Sequence, residues 1–323
     1  MKTRVAASAL ALMAMISAGP AAAELVPRAQ YVGTYGVSTD GWGALGGSNA
    51  GARGAIRAKA PPGSTVISAF LYTATQSLDG MPTTVTLDGS KIEYAQRVAN
   101  PSISAKKIAT NRADVTAIVA PKIETGSGEI HSFTIDEGRD GRRQGGTDVI
   151  DGHALVVLFD NPSLPERSVA VLDGFLSTTG DKAVIDFKEP LDTGSPGFVA
   201  EMALGISFST TPSQQSFVRV NGAILTENAG NYDDGARSAD GSLITVGSFD
   251  DPISPRSPSY SQDKERYNIA PLLEAGASEI EISVKNPSGD DNIFLATFMI
   301  SGDATVENPN AEAPMAVGCC WPE

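Results

Sequence analysis

The chain has 323 residues, 41% of them hydrophobic and 6% aromatic, with a formal net charge of −14 at neutral pH. That length and apolar content suffice for two ordinary cores, because domains cluster near about 100 to 150 residues. The acidic residues are scattered through turns, which argues against nucleic acid and anionic lipid as partners.

Residues 1–23 hold Lys2 and Arg4, then an apolar stretch from Val5 to Ile16, then small residues ending Ala21-Ala22-Ala23. This order of basic, apolar and small-residue regions is that of a secretory signal. The mature chain is expected to start at Glu24, and the loss of Lys2 and Arg4 makes it more acidic by two charges. The apolar stretch falls short of the about 20 residues that span a bilayer. The expected address is therefore exported through the secretory pathway, in the periplasm, at the cell surface or outside the cell, with no transmembrane segment.

From Gln30 to Ile300, short runs rich in Val, Ile, Phe and Thr alternate with Gly, Pro, Asn and Asp, the pattern of an all-β chain. In a first module, residues 24–164, strands are expected near Gln30 to Val37, Arg53 to Lys59, Thr65 to Ala74, Thr83 to Leu87, Ile92 to Gln96, Ile130 to Ile135 and His153 to Phe159. A second module, residues 165–306, places them near Ser168 to Asp173, Ala183 to Phe187, Val199 to Phe208, Phe217 to Val220, Ser242 to Gly247, Glu279 to Val284 and Asn292 to Ile300. Brief helical turns are expected at Ala113 to Val119 and Ile269 to Leu273. The stretch Asp160 to Glu166, with two prolines, is the expected hinge. Residues 307–323 are expected to form a flexible tail.

The two modules echo each other. The run TVISAFLYTA, TVTLDG, RADVTAIV, GEIHSFTI, HALVVLF recurs in outline as GFVAEMALGI, SFVRVNG, ERYNIAPLL, SEIEISV, NIFLATF. Five blocks in the same order point to two related β-modules joined end to end.

The phrase Arg112-Ala-Asp114-Val-Thr116, followed by a glycine-containing turn and a strand, resembles the corresponding phrase of galactose-binding-like jelly rolls. Arg266-Tyr-Asn268-Ile-Ala270, then Gly276 and Glu279 to Val284, fits the same frame. Asp114 and Asn268 read as local caps. Wider stretches, Gly152 to Pro162, Leu172 to Phe175, Asp240 to Asp251 and Asp290 to Ala296, resemble a group of bacterial exported β-sandwich proteins of unknown function. The resemblance implies two tandem jelly-roll-like antiparallel β-sandwich domains and export, and it carries no catalytic residues. Members of that group often end in an anchoring tail, and this chain has no hydrophobic helix after Gly302.

Acidic residues gather in loops of the second module, with Asp233 and Asp234 in AGNYDDG, Asp240 in ADG, and Asp250 and Asp251 in SFDDP. Calcium takes 6 to 8 oxygen ligands, and these five are the candidate metal ligands, although Asp-Gly and Asp-Asp are also good turn residues. Trp42 and Tyr232, in glycine-rich loops, are the candidate ligand-stacking rings; the alternative is a ring folded back over a sandwich end. His131 and His153 both sit in strand patterns, outside any G-x-S-x-G context, and read as structural histidines. Asn100, Asn161 and Asn286 each precede Pro-Ser, which forms a turn and excludes glycosylation. Zinc has no spaced ligand set.

The expected function is non-catalytic binding of a polysaccharide or cell-envelope component, with calcium as the one candidate cofactor. Two further classes stay open. One is a structural component of an extracellular matrix or surface layer, with the tail Asn308 to Glu323, which carries Cys319 and Cys320, acting as a contact or crosslink. The other is a hydrolase with convergent acids.

Overall fold

The computed structural model describes residues 24–43, 53–100, 107–140, 149–176, 180–207, 217–227, 244–246, 265–285 and 292–307. In chain order the first part forms β1 (Leu25–Gly33), β2 (Tyr35–Trp42), β3 (Arg53–Ala58), β4 (Thr65–Thr75), β5 (Thr86–Leu87), β6 (Ser90–Lys91), β7 (Gln96–Ala99), β8 (Ala109–Asp114), the helix α1 (Thr116–Glu124), β9 (His131–Asp136) and β10 (Ile150–Asp160). There follow β11 (Arg167–Gly174), β12 (Asp181–Phe187), β13 (Ala200–Ser207), β14 (Phe217–Val220), β15 (Ala223–Thr226), β16 (Ile244–Val246), β17 (Arg266–Asn268), a 3-10 turn (Ala270–Leu272), β18 (Glu279–Lys285), β19 (Asn292–Ser301) and β20 (Ala304–Glu307). The protein is all-β, and every strand pair among the described residues is antiparallel.

Four sheets result. Two come from the first part, with orders β2-β10-β4-β8-β7 and β3-β9-β5-β6. The other two have orders β1-β11-β19-β13-β16, with β17 also on β13, and β15-β14-β18-β12-β20. The sequence echo maps onto this pairing strand for strand. The order β2-β10-β4-β8 recurs as β11-β19-β13-β17, and β3-β9-β5-β6 recurs as β12-β18-β14-β15.

The sheets stack in four layers around three apolar cores. Ile56, Leu71, Leu87, Phe133 and Leu155 fill the space between the first two sheets. Leu172, Met202, Leu204, Ile282 and Phe298 fill that between the last two. Between the stacks, Tyr72, Val156 and Leu158 meet Val171, Phe175 and Phe294. The two middle sheets are therefore covered on both faces. Their strands read as continuous apolar runs for that reason, and β10 and β11 are buried almost residue by residue. The outer strands β9 and β18 alternate instead, because only one face meets a core.

The middle sheets meet in a reciprocal way. Tyr72 on β4 and Arg112 on β8 contact Asp173 on β11. Val37 and Thr39 on β2 share a small cavity with Glu201 and Ala203 on β13 and Thr297 on β19. Since β2 corresponds to β11 and β4 to β13, each half presents the same strands to the other.

Several sequence expectations change. The strand expected at Gln30 to Val37 is two strands in different sheets, with the break at Thr34: β2 joins β10, while β1 crosses to β11. Backbone edge pairing decides this, and side-chain pattern alone does not encode it. The strand expected at Ile92 to Gln96 lies further on, as β7. The helical turn expected at Ala113 to Val119 starts at Thr116 and runs through Pro121 to Glu124. The expected hinge is anchored: Asn161 is buried, its Nδ2 donates to Pro62 O (3.0 Å) and Ser64 Oγ (3.0 Å), and its Oδ1 accepts from Ser163 N (2.8 Å). The caps are where expected. Asp114 Oδ1 accepts from Thr116 N (2.9 Å), and Asn268 Oδ1 from Ala270 N (3.1 Å).

Candidate functional site

At one end of the first stack, where β2 and β9 end and β10 begins, β4, β8 and β10 and the residues that follow β6 and β9 bring polar side chains together. His153, the fourth residue of β10, is fully buried. Its Nδ1 lies 2.8 Å from Thr73 Oγ1, and its Nε2 lies 3.3 Å from Oε1 of Glu137, itself 1% exposed. Thr73 Oγ1 is also 2.5 Å from the Tyr94 hydroxyl. Thr73 Oγ1 thus bridges the imidazole and the Tyr94 phenol, and the imidazole bridges Thr73 to the Glu137 carboxyl group. Burial pushes the Tyr94 phenol far above its ordinary range, outweighing the opposing effect of the Thr73 bond.

A second layer holds this chain of groups in place. Asn111 is fully buried, and its Nδ2 donates to Thr73 O (3.1 Å) and Thr75 Oγ1 (3.1 Å). Arg97 donates to Asn111 Oδ1 (3.2 Å) and reaches Gly80 O (2.8 Å) and Leu78 O (2.7 Å), which fastens the connection after β4. The Asp140 carboxylate accepts from the backbone N–H groups of Thr83 and Thr84 and fastens the stretch after β9 to the same connection.

Hydroxyl, imidazole and carboxylate in this order are the contacts of a hydrolytic triad. Here the hydroxyl is sealed: Thr73 is fully buried and engaged by His153 and Tyr94. Acyl transfer requires the nucleophile to meet a substrate carbonyl. What this arrangement supplies is a buried polar cluster that ties β4, β8 and β10 to the residues after β6 and β9.

Trp42, the last residue of β2, stacks on His153 with ring centroids 6.0 Å apart and planes 14° apart. The indole also crosses Gly54, where a Cβ would fall 2.0 Å from Cε2. Its ring thus lies back against the sandwich end. His131 is elsewhere, beside Gly126 and 3.7 Å from Glu129 at the far end. Tyr232, Asp233, Asp234, Asp240, Asp250 and Asp251 lie outside the described residues, as do Asn286, Cys319 and Cys320. Among the described residues, no group of three or more His, Cys, Asp or Glu is placed to hold a metal ion, and no helix is long and apolar enough to cross a membrane.

The anchoring of the acidic stretch is nevertheless visible. Residues 228–243 lead into β16, whose Ile244 pairs with Ser207 at the end of β13, and Ser207 pairs on its other side with Asn292. Asn292 Oδ1 accepts from Asn100 Nδ2 of the first stack at 2.6 Å, both residues being buried. Asn100 closes β7, at the same end as Trp42 and His153. The described ends of β7, β13 and β19 therefore lie together where the two stacks meet.

Trp42 and His153 were individually legible in the sequence. Thr73, Tyr94, Asn111 and Glu137 were not, since they come from separate strands and carry no local motif.

No protein-family model matches the chain, and no curated protein matches it. Among solved structures, the mavirus major capsid protein aligns over 95% of this chain and 94% of its own at 12% identity with a TM-score of 0.19, too low to bear on fold or function.

Proposed function

We propose that this is an exported, non-catalytic binding or surface-associated protein, built as two jelly rolls in tandem, whose paired loop ends take a polysaccharide or another cell-envelope polymer. The jelly-roll reading rests on the strand order, which is the same eight-strand, two-sheet order in each half. The observation that carries the functional reading is the Asn100–Asn292 bond. It joins the end of β7 in the first half to the start of β19 in the second, and so brings together described strand ends from both halves. Calcium, held by Asp233, Asp234, Asp240, Asp250 and Asp251, is the proposed cofactor, and Tyr232 is the proposed ligand contact, Trp42 being packed back on His153 and Gly54.

The test is an array of glycans and purified envelope polymers probed with the mature chain in calcium and in chelator. Retention of a polymer, lost on replacing Asp233, Asp234 and Asp250 by Asn, is the expected result, together with a calcium-dependent rise in Tm. Absence of retention on every polymer overturns the binding role. Retention with no response to calcium or to these substitutions removes the metal and leaves the polymer.

A further inference from the structure

We propose that Met299 is a redox modification site: a hydroperoxide converts its thioether to the sulfoxide, whose oxygen takes the Arg167 guanidinium as donor, so that oxidation strengthens the seam between the stacks instead of loosening it. Such a site goes beyond the binding role and stands independently of it.

Arg167 opens β11 and is 9% exposed. Its acceptors are weak for a buried cation. Nε donates to Pro165 O at 3.4 Å, and Nη1 donates to Met299 Sδ at 3.1 Å, a thioether sulfur being a poor acceptor. Burial pulls the guanidinium below its ordinary range, and the charge of Glu201 opposes this only in part. Glu201 faces Met299 across the β13–β19 pair, but its carboxylate accepts from Arg266, with Nε at 3.1 Å. Arg167 is thus a buried cation with room for a better partner.

The space for that partner is beside the sulfur. Met299 is half-buried and, with Val37, Thr39, Ala203 and Thr297, lines a cavity of about 20 Å³ where β2 meets β13 and β19. About 10 to 15 Å³ suffices for one water, so an added oxygen fits without displacing the core.

The step is a two-electron oxidation. A sulfur lone pair attacks the terminal oxygen of the hydroperoxide, the O–O bond breaks, and the proton on the transferred oxygen passes to the leaving oxyanion, which departs as water or alcohol. Sulfur is oxidised and the peroxide is reduced. Arg167 occupies the other lone pair, and the rotatable bonds of the methionine side chain let the new oxygen turn to Nη1. Oxidation of a packed methionine ordinarily disrupts its surroundings by adding a polar group. Here the polar group meets an ionised donor, and charge-assisted bonds are about twice as strong as neutral ones.

The test uses the chain from Glu24 with Met81→Leu and Met315→Leu, which leaves Met202 and Met299 as its methionines. After hydrogen peroxide, peptide mapping is expected to find the sulfoxide at Met299 while Met202, 1% exposed in the core, stays reduced. The urea midpoint of the oxidised protein is expected to rise by about 0.2 to 0.5 M. In Arg167→Leu the same oxidation is expected to lower it. A second comparison needs no peroxide: Met299→Gln supplies an amide oxygen, and its midpoint relative to Met299→Leu should be higher with Arg167 in place than in Arg167→Leu. Oxidation of Met202 ahead of Met299, a midpoint that falls or stays level on oxidation, an equal response in Arg167→Leu, or no Arg167 dependence of the Gln variant each overturns the proposal.

Discussion

The side-chain amide of Gln30 acts as a strand partner for Val306: its Nε2 donates to Val306 O at 2.8 Å, and its Oε1 accepts from Val306 N at 2.9 Å. Gln30 belongs to β1 at the edge of a middle sheet, and Val306 to β20 at the edge of an outer one. One side chain thus closes the seam between two sheets and occupies backbone groups that could otherwise template another chain. Gln30→Ala leaves both groups without this partner. The expected cost is about 1 to 3 kcal/mol in urea unfolding, with concentration-dependent association by light scattering. Unchanged stability and a monomeric variant would show that the seam closes without Gln30.

Removing His153 leaves Thr73 and Glu137 buried without their shared partner. His153→Leu is expected to lower stability by about 1 to 3 kcal/mol, the cost of leaving buried polar groups without a partner. Adding Glu137→Leu should recover part of that loss, since an apolar pair leaves no polar group stranded at that position. Equal destabilisation by the single and double variants would mean that the loss comes from packing rather than from the stranded carboxyl.

Asp173 holds three partners across the middle layer. It accepts from Arg28 Nη2 (3.0 Å) and Nε (3.2 Å) on β1, from Arg112 on β8, and from the Tyr72 hydroxyl (3.1 Å) on β4. Asp173→Asn is expected to cost about 2 to 3 kcal/mol, less than a fully buried pair because Arg28 is partly screened by water. Calorimetry should also change in form. The wild type should unfold in one transition and the variant in two, as the stacks part before they melt.

The Tyr72 phenol is held well above its ordinary range, chiefly by burial and then by the Asp173 carboxylate. Its protonated form is thus favoured by folding. That stabilisation is fully present below the unfolded value of about 10 and declines above it, as the unfolded chain loses a proton that the folded chain keeps. Stability should fall as pH rises beyond 10, and Tyr72→Phe should flatten that fall, as measured by urea midpoints from pH about 9 to 11.5. An identical slope in the variant would assign the alkaline loss to other groups.

Gly54 makes room for Trp42. Gly54→Ala should push the indole off His153 at a cost of about 1 to 3 kcal/mol. In a Trp321→Phe background the remaining emission comes from Trp42, and it should shift to the red. An unshifted spectrum would mean that the backbone yields instead of the ring.

The sequence by itself determined the all-β class, the twofold echo and the local turns, because each is written in residues close together. Alternation in HSFTID and EIEISV marks strands with one wet face, the continuous runs HALVVLF and NIFLATF mark strands with none, and Asp114 and Asn268 cap their turns from two residues away. Only the tertiary structure decided which surfaces those dry strands meet. The second face of β10 is covered by the other half of the chain, β1 crosses to β11, and Asp173 gathers groups from three other strands. Such contacts join residues more than 60 positions apart, as Asp173 and Arg112 are. Burial and charge pairing select them only once the sheets have stacked, so no local periodicity announces them. Trp42 shows the same division: its glycine-rich setting was legible, but the buried imidazole beneath it became a neighbour only when β2 paired with β10.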